Sequence, residues 1–211
     1  MNSIKSDITT SPNPSVQYYD ENATAYIAQT KDADVSELQE RFLEHIAPGG
    51  TILDLGCGSG RDSLEFMKRG YEVYAMGASA EMVRYCQGFL GDKVALADFE
   101  NYETEMVFDG IWACASLLHV PRKDIVRIVR KYAGMIKPGG VFYMSYKLRQ
   151  EDHKSGDRVF TCFTESQLSE VLDRAGGFER VDYFVTQDVR LGRESERWIN
   201  AIAHVRRQKP E

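Results

Sequence analysis

The chain has 211 residues, 43% of them hydrophobic, and a formal net charge of -6. That length and apolar content suit one domain with its own core. The acidic balance excludes the basic surface that nucleic acid or an anionic membrane requires. Cys57, Cys86, Cys114 and Cys162 form neither a CxxC nor a metal-ligand spacing, so no metal site is expected, and unpaired thiols fit a cytoplasmic setting. No apolar run approaches the ~20 residues of a membrane span, and no secretory leader is expected.

Residues 1–15 are polar, with two prolines, and predict a flexible tail ahead of a single domain over 16–206. Within it, 16–48 reads as a helical cap segment. There Val35, Leu38, Phe42 and Ile46 recur at helical spacing, Ser36 and Gln39 resemble a capping box, and Pro48-Gly49-Gly50 closes the helix. A first strand over 51–55 leads into Gly56-Cys57-Gly58-Ser59-Gly60 and a helix over 62–69. A second strand over 71–76 and a helix over 79–90 follow, then strands over 94–97 and 108–114. Pro121 precedes a helix through Ile125, Ile128, Val129 and Tyr132, and Lys137-Pro138-Gly139-Gly140 predicts a turn into a strand over 141–146. Thr164 and Gln167 cap a further helix, and strands over 178–185 and 198–205 end the series. Strands alternating with amphipathic helices predict an α/β fold, with a mostly parallel, doubly wound sheet covered on both faces.

The strand, glycine turn and helix start at 52–62 make a site for a ligand with an anionic group, because free amides and the helix dipole converge there. Ligands of such sheets sit beyond the carboxyl ends of the strands. Two cofactor classes are open at this point. A dinucleotide turn is spaced G-x-G-x-x-G, whereas this chain has G-x-G-x-G with Asp54 two residues ahead.

Leu53-Asp54-Leu55-Gly56-Cys57-Gly58-Ser59-Gly60 resembles motif I of the class I S-adenosylmethionine-dependent methyltransferases. Ser79-Ala80-Glu81-Met82, Ala97-Asp98-Phe99, Phe108-Asp109-Gly110-Ile111, Leu117-Leu118-His119-Val120 and Lys137-Pro138-Gly139-Gly140 follow in that family's order. The likeness covers roughly 40–185. The stretches Ala115–Pro121 and Gly192–Trp198 resemble a bacterial, tellurite-resistance-like subgroup. The resemblance implies a Rossmann-like sheet of seven strands whose last hairpin is antiparallel. It also implies methyl transfer from S-adenosylmethionine to a small molecule, with S-adenosylhomocysteine as product. The partner is then a small-molecule acceptor, with neither nucleic acid nor membrane, and the protein a monomer or homodimer.

By the same resemblance, Gly56, Gly58 and Gly60 let the backbone pass close to the cofactor, and Asp54 serves its ammonium. Asp98 accepts from the adenine amino group, Met82 and Phe99 flank the ring, and Gly77, Ala78, Ser79 and Ala113 line the rest. Tyr18, with Tyr19 and Tyr26, folds over the site as a lid. His119 is the candidate catalytic base, ahead of His45, His153 and His204. Lys147, Arg149, Arg158, Arg190 and Arg193 offer charge to an oxyanion or carboxylate acceptor, and Cys57 and Cys114 are small filler beside the site.

One position departs from the family. Strand two ends in Gly77 where an acid about 20 residues past the glycine turn bonds the ribose hydroxyls. Losing a charge-assisted pair costs on the order of 1.5–3 kcal/mol, roughly tenfold to a hundredfold in affinity. A degenerate protein that binds S-adenosylmethionine or S-adenosylhomocysteine without turnover is therefore one alternative, and an NAD-dependent oxidoreductase another.

Overall fold

The computed structural model describes residues 13–156, 158–190 and 192–207. The tail expected over 1–15 lies outside these up to residue 12. Pro14 and Ser15 already belong to a helix, α1 (Pro14–Glu21), which starts with Asn13 accepting from the Ser15 amide at 2.9 Å. Helices α2 (Ala23–Thr30) and α3 (Ser36–Leu43) complete the N-terminal segment.

The alternation then runs β1 (Thr51–Leu55), α4 (Arg61–Lys68), β2 (Glu72–Gly77), α5 (Ala80–Leu90), β3 (Val94–Leu96), β4 (Phe108–Ala113), α6 (Ile125–Ala133) and β5 (Ile136–Lys147). A short hairpin of β6 (His153–Ser155) and β7 (Arg158–Phe160), absent from the sequence expectation, interrupts it. Helix α7 (Glu165–Ala175), β8 (Phe178–Gln187) and β9 (Arg197–Val205) close the fold.

Seven strands form one sheet in the order β3-β2-β1-β4-β5-β9-β8. Strands β3 to β5 are parallel, while β9 runs antiparallel between β5 and β8, as expected for the final hairpin. Apolar side chains of β1, β4 and β5 are buried on both faces, as helices on both sides of a parallel sheet require. One core cluster lies under α6 and α7, with Phe142, Ile128 and Leu168 fully buried. The other holds Phe42, Phe66, Trp112 and Tyr143 under α3, α4 and α5. In that cluster Trp112 stacks on Tyr143 with ring centroids 3.9 Å apart.

Two local expectations are corrected. Lys137–Gly140 is no turn ahead of β5 but a bulge inside it: Phe108 pairs with Ile136 and Gly110 with Val141, so this segment stands opposite Asp109 alone. Gly139 has φ 83°, and a Cβ on Gly140 would lie 2.5 Å from the Asp109 carbonyl oxygen, so both positions need glycine. The Asp109 carboxylate fastens the bulge, accepting from Lys137 Nζ and the Thr51 amide, each at 2.8 Å. At α3, Ser36 and Gln39 form no capping box. The N-cap is Val35, the Ser36 amide donates to Asp34 at 3.0 Å, and the Gln39 amide is drawn away to a buried carboxylate, Asp62.

Helix α3 reaches the middle of the sheet because β4 carries Gly110 there. A Cβ at that position would collide with Ile46 and lie 2.6 Å from the Phe42 ring. Overpacking of this kind costs about 1–3 kcal/mol. Gly110→Ala is expected to lower the thermal midpoint by about 2–10 °C, read by circular dichroism. An unchanged midpoint would show that α3 is held loosely.

Candidate functional site

The carboxyl ends of β1, β2, β4 and β5 open on a cleft of about 920 Å³, walled on its far side by α1, α2 and the β6–β7 hairpin. Asp54, Gly56, Gly58, Gly77, Ala78, Ser79, Met82, Asp98, Phe99, Tyr18 and His119 all line it. The fold brings these together because each follows a strand or faces one across the cleft.

Two expected residues are elsewhere. Ala113 is fully buried inside β4, and Cys114 and Ala115 line the cleft in its place. Gly60 turns away as the left-handed N-cap of α4, where a Cβ would strike Phe89 and lie 2.8 Å from Cys86 Sγ. Its missing side chain serves helix packing, not the cleft. Gly56 is required differently: its φ is 86°, and a Cβ would lie 2.5 Å from Ser116 Cβ. Ser116 in turn donates to the Leu55 carbonyl and so ties the segment after β4 to the glycine turn. Next to it, Ala115 is left-handed at φ 51° without being glycine. Strain of this sort gathers at functional sites, and no residue pattern announces it.

Two buried acids set the electrostatics at the base. Asp62 accepts from Arg61 Nε at 2.9 Å and Nη2 at 2.8 Å, from Gln39 at 2.7 Å and from Trp112 at 2.9 Å. Burial alone would raise its pKa, but the Arg61 charge and these donors hold it below the usual carboxylate value. Asp54 has one short donor, Ser63 Oγ at 2.6 Å. Burial, with the Asp62 charge close by, pushes its pKa up to about 7. Asp98 is pinned by the amides of Glu100 and Asn101 and by the Asn101 side chain at 2.7–2.9 Å.

The N-terminal helices close over this base. Tyr26 stands 3.7 Å from where a Gly58 Cβ would be. Thr30 donates to Ser59 at 3.0 Å, and the Tyr19 hydroxyl lies 3.0 Å from His119 Nε2. His119 Nδ1 is buried without a partner among the described residues. Burial, and then the Arg158 charge, lowers the His119 pKa to about 4, so the ring is neutral near pH 7.

The expected cationic cluster divides. Lys147 pairs with Glu196 at 3.0 Å, Arg149 pairs with the same carboxylate, and Arg190 pairs with Asp188 at 2.5 Å. Arg158 instead lies over the Tyr18 ring, 3.5 Å from its centroid, and over Phe160 at 5.2 Å, with no carboxylate partner among the described residues. Arg193 is exposed on the rim, and His153 stacks beside Phe160. Cys57 and Cys114 line the cleft as un-ionised thiols, since burial raises the pKa of Cys114, and the hydrogen bond between Cys57 and Cys86, with burial, raises that of Cys57.

His45 and His204 lie outside the cleft. With Asp182 they bring three ligand-type atoms within 4.8 Å, but Arg180 already donates to Asp182 at 2.6 Å and lies 3.1 Å from His204 Nε2, filling the cation's place.

The residue that the sequence pattern least advertised is Asp62, which reads there as an ordinary acidic first-turn residue. Asp62→Ala would leave the Arg61 guanidinium buried and unpaired, and is expected to cost about 3–5 kcal/mol of stability. Urea unfolding of the two proteins checks it, and a loss below about 1 kcal/mol would remove Asp62 from this role.

Residues 52–140 match the methyltransferase domain family. A ubiquinone biosynthesis O-methyltransferase from Xanthomonas campestris pv. campestris is 30% identical over 105 residues, 46% of this chain and 43% of its own length. An (S)-coclaurine N-methyltransferase from Papaver somniferum is 28% identical over 144 residues, 63% of this chain and 38% of its own. The chain thus spans less than half the length of these relatives. Among solved structures, the Burkholderia thailandensis 1,6-didemethyltoxoflavin-N1-methyltransferase, with 1,6-didemethyltoxoflavin and S-adenosylhomocysteine bound, superposes with a TM-score of 0.72 at 20% identity, covering 90% of this chain and 85% of that one. The [4+2]-cyclase SpnF superposes at 0.70 with 18% identity, covering 92% and 96%. Residues 52–140 are thus similar to a methyltransferase domain, and the chain shares the Rossmann-like fold of these solved structures.

Proposed function

We propose that this protein transfers a methyl group from S-adenosylmethionine to a small-molecule acceptor. The observation that carries the reading is the cleft at the glycine turn, where Gly56 and Gly58, the acids Asp54 and Asp98, and the covering tyrosines meet. These residues fit the cofactor. Asp54 is a buried acid with no cationic partner at hydrogen-bonding distance among the described residues, placed to receive an ammonium. Asp98 is an immobilised carboxylate for an adenine amino group, with Met82 and Phe99 also lining the cleft to flank a ring. Bound there, the cofactor would supply an electrophilic methyl whose leaving group is neutral.

For such a displacement the protein's part is orientation and exclusion of water, with a base only where the acceptor loses a proton. The Tyr19–His119 hydrogen bond holds the cap against the segment after β4 and fixes the imidazole. Neutral His119 keeps a lone pair for a proton. Its low basicity suits an acceptor that turns acidic only as the new bond forms. Arg158, flanked by Tyr18 and Phe160, favours a planar acceptor with a negative group.

A binding-only reading draws on Gly77, which leaves β2 without a carboxylate at the cleft. Calorimetry with S-adenosylhomocysteine against NADH tests the cofactor. Saturable binding of the first at micromolar to submillimolar levels, and none of the second, is expected; no binding at millimolar concentration would end the reading. Because the ammonium needs ionised Asp54, affinity is expected to climb as pH rises through the Asp54 value. The gain from pH 5.5 to 7.5 is at least about tenfold, and it is lost in Asp54→Asn. A flat profile in the wild type would exclude Asp54 from that contact. His119→Ala is expected to lower turnover on the acceptor, measured at saturating cofactor, at least about tenfold. Unaltered turnover would remove its role.

A further inference from the structure

We infer that the methyl acceptor is a planar aromatic carboxylate, and that Arg158 on the β6–β7 hairpin receives its negative end. The inference rests on the methyl-transfer reading above and narrows its acceptor class.

The cleft sorts its charge along the sheet. On the side of β3, β2 and β1, the acids Asp54, Asp62 and Asp98 line it with one cation, Arg61. That excess suits a ligand carrying an ammonium and a sulfonium. Beyond β4, the end of β5, the hairpin and the β8–β9 connection bring Lys147, Arg158, Arg190 and Arg193 against Asp188 and Glu196. This end is positive in a chain whose net charge is -6, so it draws an anion.

Among the described residues, one of these cations is both sheltered and without an acid. Lys147 lies 3.0 Å from Glu196, which Arg149 also holds, and Arg190 lies 2.5 Å from Asp188. Arg193 is exposed. Arg158 is half-buried and lies over rings instead, 3.5 Å from the Tyr18 centroid, 5.2 Å from Phe160 and 5.9 Å from Tyr19. Stacking of this kind leaves the edge of the guanidinium without an ionic partner, and its fork of donors matches the two oxygens of a carboxylate. A phosphate dianion would call for a second unpaired cation beside it, and Lys147 and Arg190 are taken.

The same rings set the shape of the acceptor. The Phe160 centroid is 5.2 Å from both the Arg158 guanidinium carbon and the His119 ring, and Tyr19 neighbours the same two groups at 5.9 and 5.4 Å. A molecule one or two aromatic rings wide, lying against these side chains, reaches Arg158 with one end and His119 with the other. Ring faces favour a flat partner. The substituent opposite the carboxylate is then the one presented for methylation.

The test is calorimetry on the full chain saturated with S-adenosylhomocysteine. The probes are 4-hydroxybenzoate and 6-hydroxy-2-naphthoate, each beside its carboxamide, and 4-hydroxyphenyl phosphate, with the weaker ligands read by competition. At least one carboxylate is expected to bind the wild type about tenfold or more tighter than its carboxamide. Arg158→Gln is expected to bring that ratio to within about twofold. Arg158→Lys, which keeps the charge but not the fork, should leave it in between. A wild type that binds neither carboxylate better than its carboxamide overturns the inference with no variant needed, and so does tighter binding of the phosphate. A ratio that survives in Arg158→Gln while both forms weaken alike shows that Arg158 only supports the cap, and overturns it too. A wild type that never takes up S-adenosylhomocysteine sinks the methyl-transfer reading itself. One that takes it up and ignores the carboxylate sinks only the acceptor class.

Discussion

A carboxylate that stays ionised inside a protein must be surrounded by donors, and this requirement organises the base of the cleft. Asp62 gathers Arg61 beside it on α4, Gln39 from α3 and Trp112 from β4. Helix, cap segment and central strand are thereby held in one arrangement by one charge. Trp112 stacked on Tyr143 carries the constraint into β5, and the Tyr143 hydroxyl carries it to Asn200 on β9 at 2.8 Å. The first turn of α4, which follows the glycine turn directly, is anchored in this way.

The same arrangement separates two acids that share a burial environment. Asp62 takes the cation, and its charge makes a second charge at Asp54 costly, so Asp54 is left poised between protonated and ionised states. One fixed anion and one adjustable one, close together, let a cleft accept a cationic ligand without carrying a standing unpaired charge when empty. His119 follows the opposite logic. Burial keeps it neutral, and Arg158 adds to the pressure against protonation.

Much of the fold is legible in the residues. The apolar runs of β1 and β4 and the Gly56–Gly60 turn announce a strand–turn–helix unit whatever surrounds them, since local sterics and burial decide it. Most of the cleft lining follows, being the residues just past each strand. What is not legible comes from long-range pairing. Asp20 meets Ser79 across 59 residues and Tyr19 meets His119 across 100; nothing near either partner encodes the other. Gln39 could cap its own helix by every local rule, and a buried acid from α4 outcompetes that role. Lys137–Gly140 has turn composition but lies inside a strand, because Asp109 fills the gap that a turn would leave. Gly60 matches the cofactor pattern and is used for packing, since α4 must start within reach of Phe89.

The cap itself buries little. Of α1 and α2, only Ser15, Ala23 and Thr30 are buried, and what joins them to the core at the cleft is polar: Asp20 to Ser79, Tyr19 to His119, Thr30 to Ser59. Polar links of this kind contribute about a kcal/mol each, far less than the apolar burial beneath α3. The two helices therefore form a cooperative unit of their own. They open at a free energy well below that of global unfolding, and give access to the cleft while the sheet stays intact.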